Sequence, residues 1–406
     1  MKTFKKLGKF LMKIKLSIAV LLAANASLIA GGDIIPVLEA PNGVEESSFI
    51  KEANGYIRAG YQNSDISGDT DYTNTALGGK LHIETRSLSG ISAGASIYTT
   101  NVVFGNNEGE GIPFFDANND SYTILGEAYL MGKWGNSILK IGRQEIDTPF
   151  LDTDDIGMVP NTYEAALFLN KDIANTTIIL AHVERMAGVD AQNDPAKFED
   201  IRDNDYVQIA GIEYEATENL ALSGWYYNLK NPITDNLIYA DATYSDQIGT
   251  MSYEMGAQYA HRNLSNIGHE HAHIFGAMAD VSFENSGINI GVAYNTAQDN
   301  YATNGFGGGP FYTSAEHLTL REATIDGEAL RFWGGWDASA VVDGLGFGAG
   351  YLTLEDQYSN KANELDLTAS YAMNDALGID LIYSDIDDDI NGDRYTNLRV
   401  FINYIF

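Results

Sequence analysis

Six basic side chains, Arg58, Lys80, Arg86, Lys140, Arg331 and Arg399, fall on the polar phase of segments whose other phase is largely apolar. Side chains two residues apart share one face of a strand. If those faces line a water-filled bore, the cations form a ladder for anionic groups, by the charge-ring logic of selective pores. Six acids take the same phase elsewhere: Glu164, Glu213, Glu254, Asp280, Glu364 and Asp366. Opposed rows of the two signs would set up a transverse field that orients dipolar or zwitterionic solutes. The plainer alternative is ordinary lumen polarity with cross-strand ion pairs, such as Lys80 with Glu84. A third group, Asp152, Asp154 and Asp155, lies in the connection 145–161 (EIDTPFLDTDDIGMVPN), which Pro149 and Pro160 stiffen. At a constriction these acids would favour cations; on a solvated surface loop they would not.

Other constellations carry less chemistry. His269, His271 and His273 alternate along HEHAH, with His261 nearby, so one strand face could offer imidazoles to Zn²⁺ or Cu²⁺. No acidic partner completes that pattern. Asp387, Asp389, Asn391 and Gly392 match positions 1, 3, 5 and 6 of a calcium loop, but position 12 is Leu398 rather than a bidentate glutamate. The expectation is therefore no cofactor, beyond Ca²⁺ held weakly at the loops. Residues 305–309 (GFGGG) lack the Lys-Ser/Thr that a phosphate loop needs. No Ser/His/Asp order or His-paired carboxylates stand out, so an enzyme is not expected.

The elements that must position these residues are strands. Counting back from Phe406, every second residue (Tyr404, Ile402, Val400, Leu398) is apolar or aromatic, while Asn397, Arg399 and Asn403 interleave. That is the period of two of a half-buried strand. Roughly eighteen such segments run from 54–61 and 77–86 to 378–386 and 395–406. In 77–86, Leu81, Ile83 and Thr85 oppose Lys80, His82, Glu84 and Arg86; near the end, Leu365, Leu367, Ala369 and Tyr371 oppose Glu364, Asp366, Thr368 and Ser370. Short turn-rich connections (87–89, 135–136, 217–219, 285–286, 342–344) alternate with long ones (62–76, 101–121, 145–161, 187–204, 297–328). Short periplasmic turns opposite long extracellular loops are the plan of an outer-membrane barrel. The expected fold is all-β: a transmembrane antiparallel β-barrel of about eighteen strands, polar inside and apolar outside, a channel rather than a packed core.

The ends and the composition agree. Lys2, Lys5, Lys6, Lys9, Lys13 and Lys15 precede a short apolar run at 16–23, too short to span a bilayer. Residues 1–30 read as a secretory signal peptide cleaved after Ala26 or Ala30. Residues 31–53 would be a periplasmic or lumenal lead, and 54–406 the barrel. No later segment is a transmembrane helix, so a membrane-inserted chain must close into a barrel. The absence of cysteine excludes a disulfide framework and thiol catalysis. The 24 Tyr and 17 Phe suit the aromatic girdles of such a barrel. The net charge is −32, and without the six leader lysines 18 basic residues face 56 acidic ones. Nucleic-acid binding is thereby excluded.

The run 139–150 (LKIGRQEIDTPF), an acidic stretch and then Pro160-Asn161-Thr162-Tyr163-Glu164-Ala165 resemble the OprD-type outer-membrane porins. The resemblance spans the chain in plan and about thirty residues in motif. It implies an eighteen-stranded channel for small solutes, often carboxylates or basic amino acids, with an arginine/lysine ladder and a constricting third loop. It places Arg143 at the base of that loop; a parity opposite to Lys140 makes Arg143 a loop anchor rather than a lining residue. The sequence departs from the family in its strong negative charge and few lumen arginines. The expected function is passive diffusion of small hydrophilic solutes and ions, narrowed by loop 145–161. The alternative is a structural or adhesive surface protein with binding loops. Expected partners are outer-membrane lipid and lipopolysaccharide, and the barrel-assembly machinery through the C-terminal strand; a monomer or homotrimer fits the plan.

Overall fold

The computed structural model describes residues 49–66, 71–106, 112–201, 206–229, 234–264, 271–307 and 309–406. The signal peptide, most of the lead segment and His269 lie outside the described residues. The chain forms β1 (Ile50–Ile66), β2 (Tyr72–Thr85), β3 (Ile91–Asn106), β4 (Tyr122–Trp134), β5 (Ser137–Gln144), β6 (Thr162–Asn170) and β7 (Thr176–Ala187). There follow β8 (Glu199–Asp200), β9 (Val207–Glu215), β10 (Leu220–Asn228), β11 (Thr234–Ile248), β12 (Met251–Leu264), β13 (Ala272–Phe283) and β14 (Ile288–Gln298). A 3-10 turn at Leu320–Ala323 precedes β15 (Glu328–Asp337), β16 (Leu345–Glu355), β17 (Lys361–Asn374), β18 (Leu377–Asp388) and β19 (Asp393–Ile405).

Each strand pairs antiparallel with its neighbours, and β19 returns to β1 in the register Tyr56↔Ile405 to Ile66↔Tyr395. The two-residue β8 only extends the rim beside β7, where β9 also pairs directly. Eighteen strands therefore make a closed antiparallel wall with no free edge, the condition for backbone in lipid. Side-chain parity gives the outer surface. Ile57, Leu81, Ile83, Leu367, Ile402, Tyr404 and Phe406 are exposed, whereas Arg58, Glu84, Asp366, Arg399 and Asn403 point inward and are buried.

Two expectations about extent need correction. β1 begins at Ile50, four residues ahead of the expected start at Asn54. The expected long loop 62–76 is mostly strand: β1 runs to Ile66 and β2 starts at Tyr72. Those residues are polar on both faces (Asn63, Ser64, Asp65, Thr73, Asn74), so hydropathy carries no period there, yet the ladder continues with Ser64 opposite Tyr72.

The interior also differs from an open polar tube. An apolar cluster joins wall residues Ile179, Val183, Ile209, Trp225, Tyr227, Leu237 and Tyr239 to Phe150, Leu151, Phe306, Phe311 and Leu320 of the loops. A second joins Tyr98, Ile124, Ile382 and Phe401 to Phe114, Phe115, Met158 and Val159. Long loops have turned into the barrel and brought a core with them. Burying such side chains contributes about 1.5–3 kcal/mol each, enough to offset the ordering of loop backbone.

Candidate functional site

Loop 145–161 enters the bore from the end of β5 and is held against the β1–β19 seam. Gly60, on the inner face of β1, leaves the space that Met158 and Phe114 occupy; a Cβ there would collide with the Met158 sulfur. Arg58 follows the same face. Its guanidinium grips both Asp155 carboxylate oxygens at 2.6 and 2.9 Å, donates to the Gly157 carbonyl at 2.7 Å, and reaches Asn403 through Nε at 2.8 Å. The Tyr56 and Phe401 rings lie within 4.8 and 5.6 Å of it. Planar bidentate pairing is the strongest form of a charge-assisted hydrogen bond.

The loop at 299–327 is anchored in the same way. Arg399 donates to the Ile156 carbonyl at 3.1 Å and pairs with Glu316 at 2.5 Å. Arg331 donates to the Ser314 carbonyl. Glu364 accepts the backbone N–H groups of His317 and Leu318 at 2.9 and 2.6 Å. Burial pushes the Glu316 carboxyl up against the pull of Arg399, while burial and then Arg399 push the His317 imidazole down to about 3, so it is neutral. Arg58, Arg331 and Arg399, expected as a free ladder, have relative exposures of 0, 1 and 0%. They are loop anchors, and so is Glu364. Asp366 is also buried, accepting from Ser384 at 2.7 Å.

The two loops meet each other. Leu151 and Phe306 form a parallel bridge, and Phe306 N–H donates to the Phe150 carbonyl at 2.8 Å. Gly305, at φ +76°, makes this approach with no side chain to strike the Phe150 carbonyl. The buried Tyr163 hydroxyl is shared between the carbonyls of Asp152 (2.7 Å) and Phe306 (2.6 Å). Tyr163→Phe strands two buried carbonyls, which costs about 1–3 kcal/mol. A lower unfolding temperature, read from loss of the compact heat-modifiable gel band, is the expected result; an unchanged one would show that water replaces the hydroxyl.

The remaining cations are also compensated. Lys80 pairs with Glu145 at 2.9 Å and Glu127 at 3.2 Å. Lys140 lies 3.5 Å from Glu127 and over the Tyr129 ring. Arg86 lies one residue beyond β2, at the short-turn end rather than on the wall, and its backbone N–H donates to Phe49. Arg143 shares its face with the exposed Ile141, so it points outward; it pairs with Glu164 at 2.9 Å and stacks over Phe198. Glu164 therefore does not line the bore. Tyr163 and Ala165 take the inner face of β6, and Glu164 sits on the outer one, also near Arg185.

The wall diametrically opposite β1 in the strand order is different. Glu213 (β9), Asp241 (β11), Glu254 (β12) and Asp280 (β13) share the inward parity of Ile209, Tyr239, Gln258 and Met278. Ser223 pairs in register with both Glu213 and Asp241, and Glu254 with Asp280. Asp280 accepts Trp333 Nε1–H at 2.8 Å and Glu254 accepts the Ser245 hydroxyl at 2.9 Å. Among the described residues none of the four forms an ion pair. Asp241 was missed in the sequence, although its place on the Leu237, Tyr239 phase marks it as inward.

The loop acids behave unlike a free cluster. Asp155 is neutralised by Arg58, and Asp154 is buried with its carboxyl in hydrogen-bonding reach of Asp190. Asp152 accepts from Thr153 and from the Asp154 N–H. His271 and His273 turn outward beside His261, with ring centroids 5.6 and 4.7 Å from it. Asp387 is tied to Arg394, while Asp388 caps the turn by accepting from Ile390 and Asn391. Asp389 and Asn391 thus sit in a four-residue hairpin tip rather than a twelve-residue calcium loop. Among the described residues no three His, Cys, Asp or Glu are placed to hold a metal.

A closed eighteen-stranded barrel with an apolar outer belt, a charged lumen and inward-folded loops defines a channel protein of the bacterial outer membrane. The family described as "outer membrane porin, OprD family" matches residues 111–321, more than half of the chain, and the chain belongs to that family. No curated protein sequence matches it. Among solved structures, a BenF-like porin from Pseudomonas fluorescens Pf-5 superposes with a TM-score of 0.76 at 14% identity, covering 88% of this chain and all of that one. OpdK of Pseudomonas aeruginosa, crystallised with vanillate, gives 0.75 at 15% identity, covering 88% and 100%. OccAB4 of Acinetobacter baumannii gives 0.74 at 15% identity, covering 87% and 97%.

Proposed function

We propose that the chain is a passive diffusion channel for small hydrophilic solutes and ions that prefers cations. Loops 145–161 and 299–327 together narrow the path. The observation that carries this reading is the charge imbalance of the two walls. Lys80, Lys140, Arg58 and Arg399 each have a carboxylate partner. Glu213, Asp241, Glu254 and Asp280 face the lumen with no cation paired to them among the described residues. A solute then meets a neutral wall on one side and a negative wall on the other, and rows of like charge select the opposite sign. The adhesive alternative draws no support from loops that turn Phe150, Leu151, Phe306 and Phe311 into the barrel.

The test is a planar bilayer with a salt gradient across the purified protein. Discrete conductance steps with a cation-signed reversal potential are expected. Absence of steps would overturn the channel reading, and an anion-signed potential would overturn the preference.

A further inference from the structure

The long-loop end holds a cavity of about 390 Å³ between residues 154–156, 186–200 and 304–321. That lies within the roughly 300–1,000 Å³ of small-molecule sites. Its walls carry both signs of charge. Asp190 and Asp154 approach within hydrogen-bonding reach of each other, and Asn161 donates to Asp190 at 2.6 Å. Glu199 accepts only from Asn193, at 3.1 and 2.7 Å, among the described residues. Neither Asp190 nor Glu199 has a cation paired to it among the described residues. On the other loop, the Arg321 guanidinium forms no ion pair and donates no hydrogen bond among the described residues. Ser314, also on the cavity wall, is 1% exposed and its hydroxyl has no partner.

We infer that this cavity binds a small zwitterion of amino-acid or dipeptide size, its ammonium on Asp190 and its carboxylate on Arg321. The other solute classes fit worse. A plain anion would meet the carboxylates, and a plain cation would leave Arg321 facing it unpaired. A metal ion lacks three converging ligands. An apolar solute would desolvate Ser314, Gln192 and Asn304 without replacing their hydrogen bonds. The inference rests on the channel reading only for the side of entry; binding is measured without conduction.

Calorimetry of the purified full chain in detergent, with glycylglycine, N-acetylglycylglycine and glycylglycinamide as probes, separates the terms. Glycylglycine is expected to bind at least about tenfold more tightly than either capped form, one charge-assisted hydrogen bond being worth about 1.5–3 kcal/mol. Arg321→Gln should remove the advantage over the amide, and Asp190→Asn the advantage over the acetylated form. Arg321→Lys and Asp190→Glu should largely keep them, which separates charge recognition from loop collapse. Equal binding of all three probes, amide binding as tight as the parent, or no heat of binding would each overturn the proposal.

Discussion

Replacing Arg58 with methionine should release loop 145–161 and raise both the single-channel conductance and its open-state noise. Arg58 has no exposed surface, and four hydrogen bonds tie it to Asp155, Gly157 and Asn403. Removing one partner of a buried pair costs about 3–5 kcal/mol, because the other charge is left uncompensated. At about 1.4 kcal/mol per tenfold, that is a loss of two to three orders of magnitude in the closed-down population of this contact. The loop would keep the Arg399 bond to Ile156 and the packing of Met158 against Gly60, so it should fluctuate rather than leave the bore. The double variant Arg58→Met, Asp155→Leu replaces both charges with apolar groups and should restore the quiet wild-type level. Identical conductance in the single variant would mean that apolar packing alone holds the loop.

The wall was legible in the sequence because lipid enforces one rule on every strand. Leu398, Val400, Ile402 and Tyr404 read as the outer face and are so; Arg399 and Asn403 read as inward and are so. The rule fails above the lipid, where both faces of a strand are wet, and there 62–76 passed for a loop. It also fails for Glu164, since charge alone does not say inside when an outward arginine waits on the next strand. The loops were the illegible part. Nothing in EIDTPFLDTDDIGMVPN says that Asp155 will meet Arg58, ninety-seven positions away, or that Phe150 will find Tyr227 and Phe311. Contacts between a loop and a wall have no period. Thus the positions of the ladder arginines were read correctly while their role was not: three side chains expected to greet anions instead hold the two loops that fill the bore.

That reassignment moves the expected source of ion preference from the loop to the opposite wall. Neutralising Asp152, Asp154 and Asp155 would once have been the natural test, but Asp155 is cancelled by Arg58 and Asp154 is buried against Asp190. Glu213→Gln with Glu254→Gln is the stronger experiment. Both face the lumen without a paired cation among the described residues, and neither anchors a loop there. A unit charge about 10 Å from the path contributes about 0.4 kcal/mol in water, close to a factor of two in ion occupancy. Removing two should cut the cation-to-anion permeability ratio about fourfold at low salt, with the effect shrinking as screening lengths fall to about 3 Å at 1 M. Asp152→Asn should change the ratio far less. If instead the loop variant moves the reversal potential and the wall variant does not, the acids of β9 and β12 lie off the ion path and the loop carries the selectivity after all.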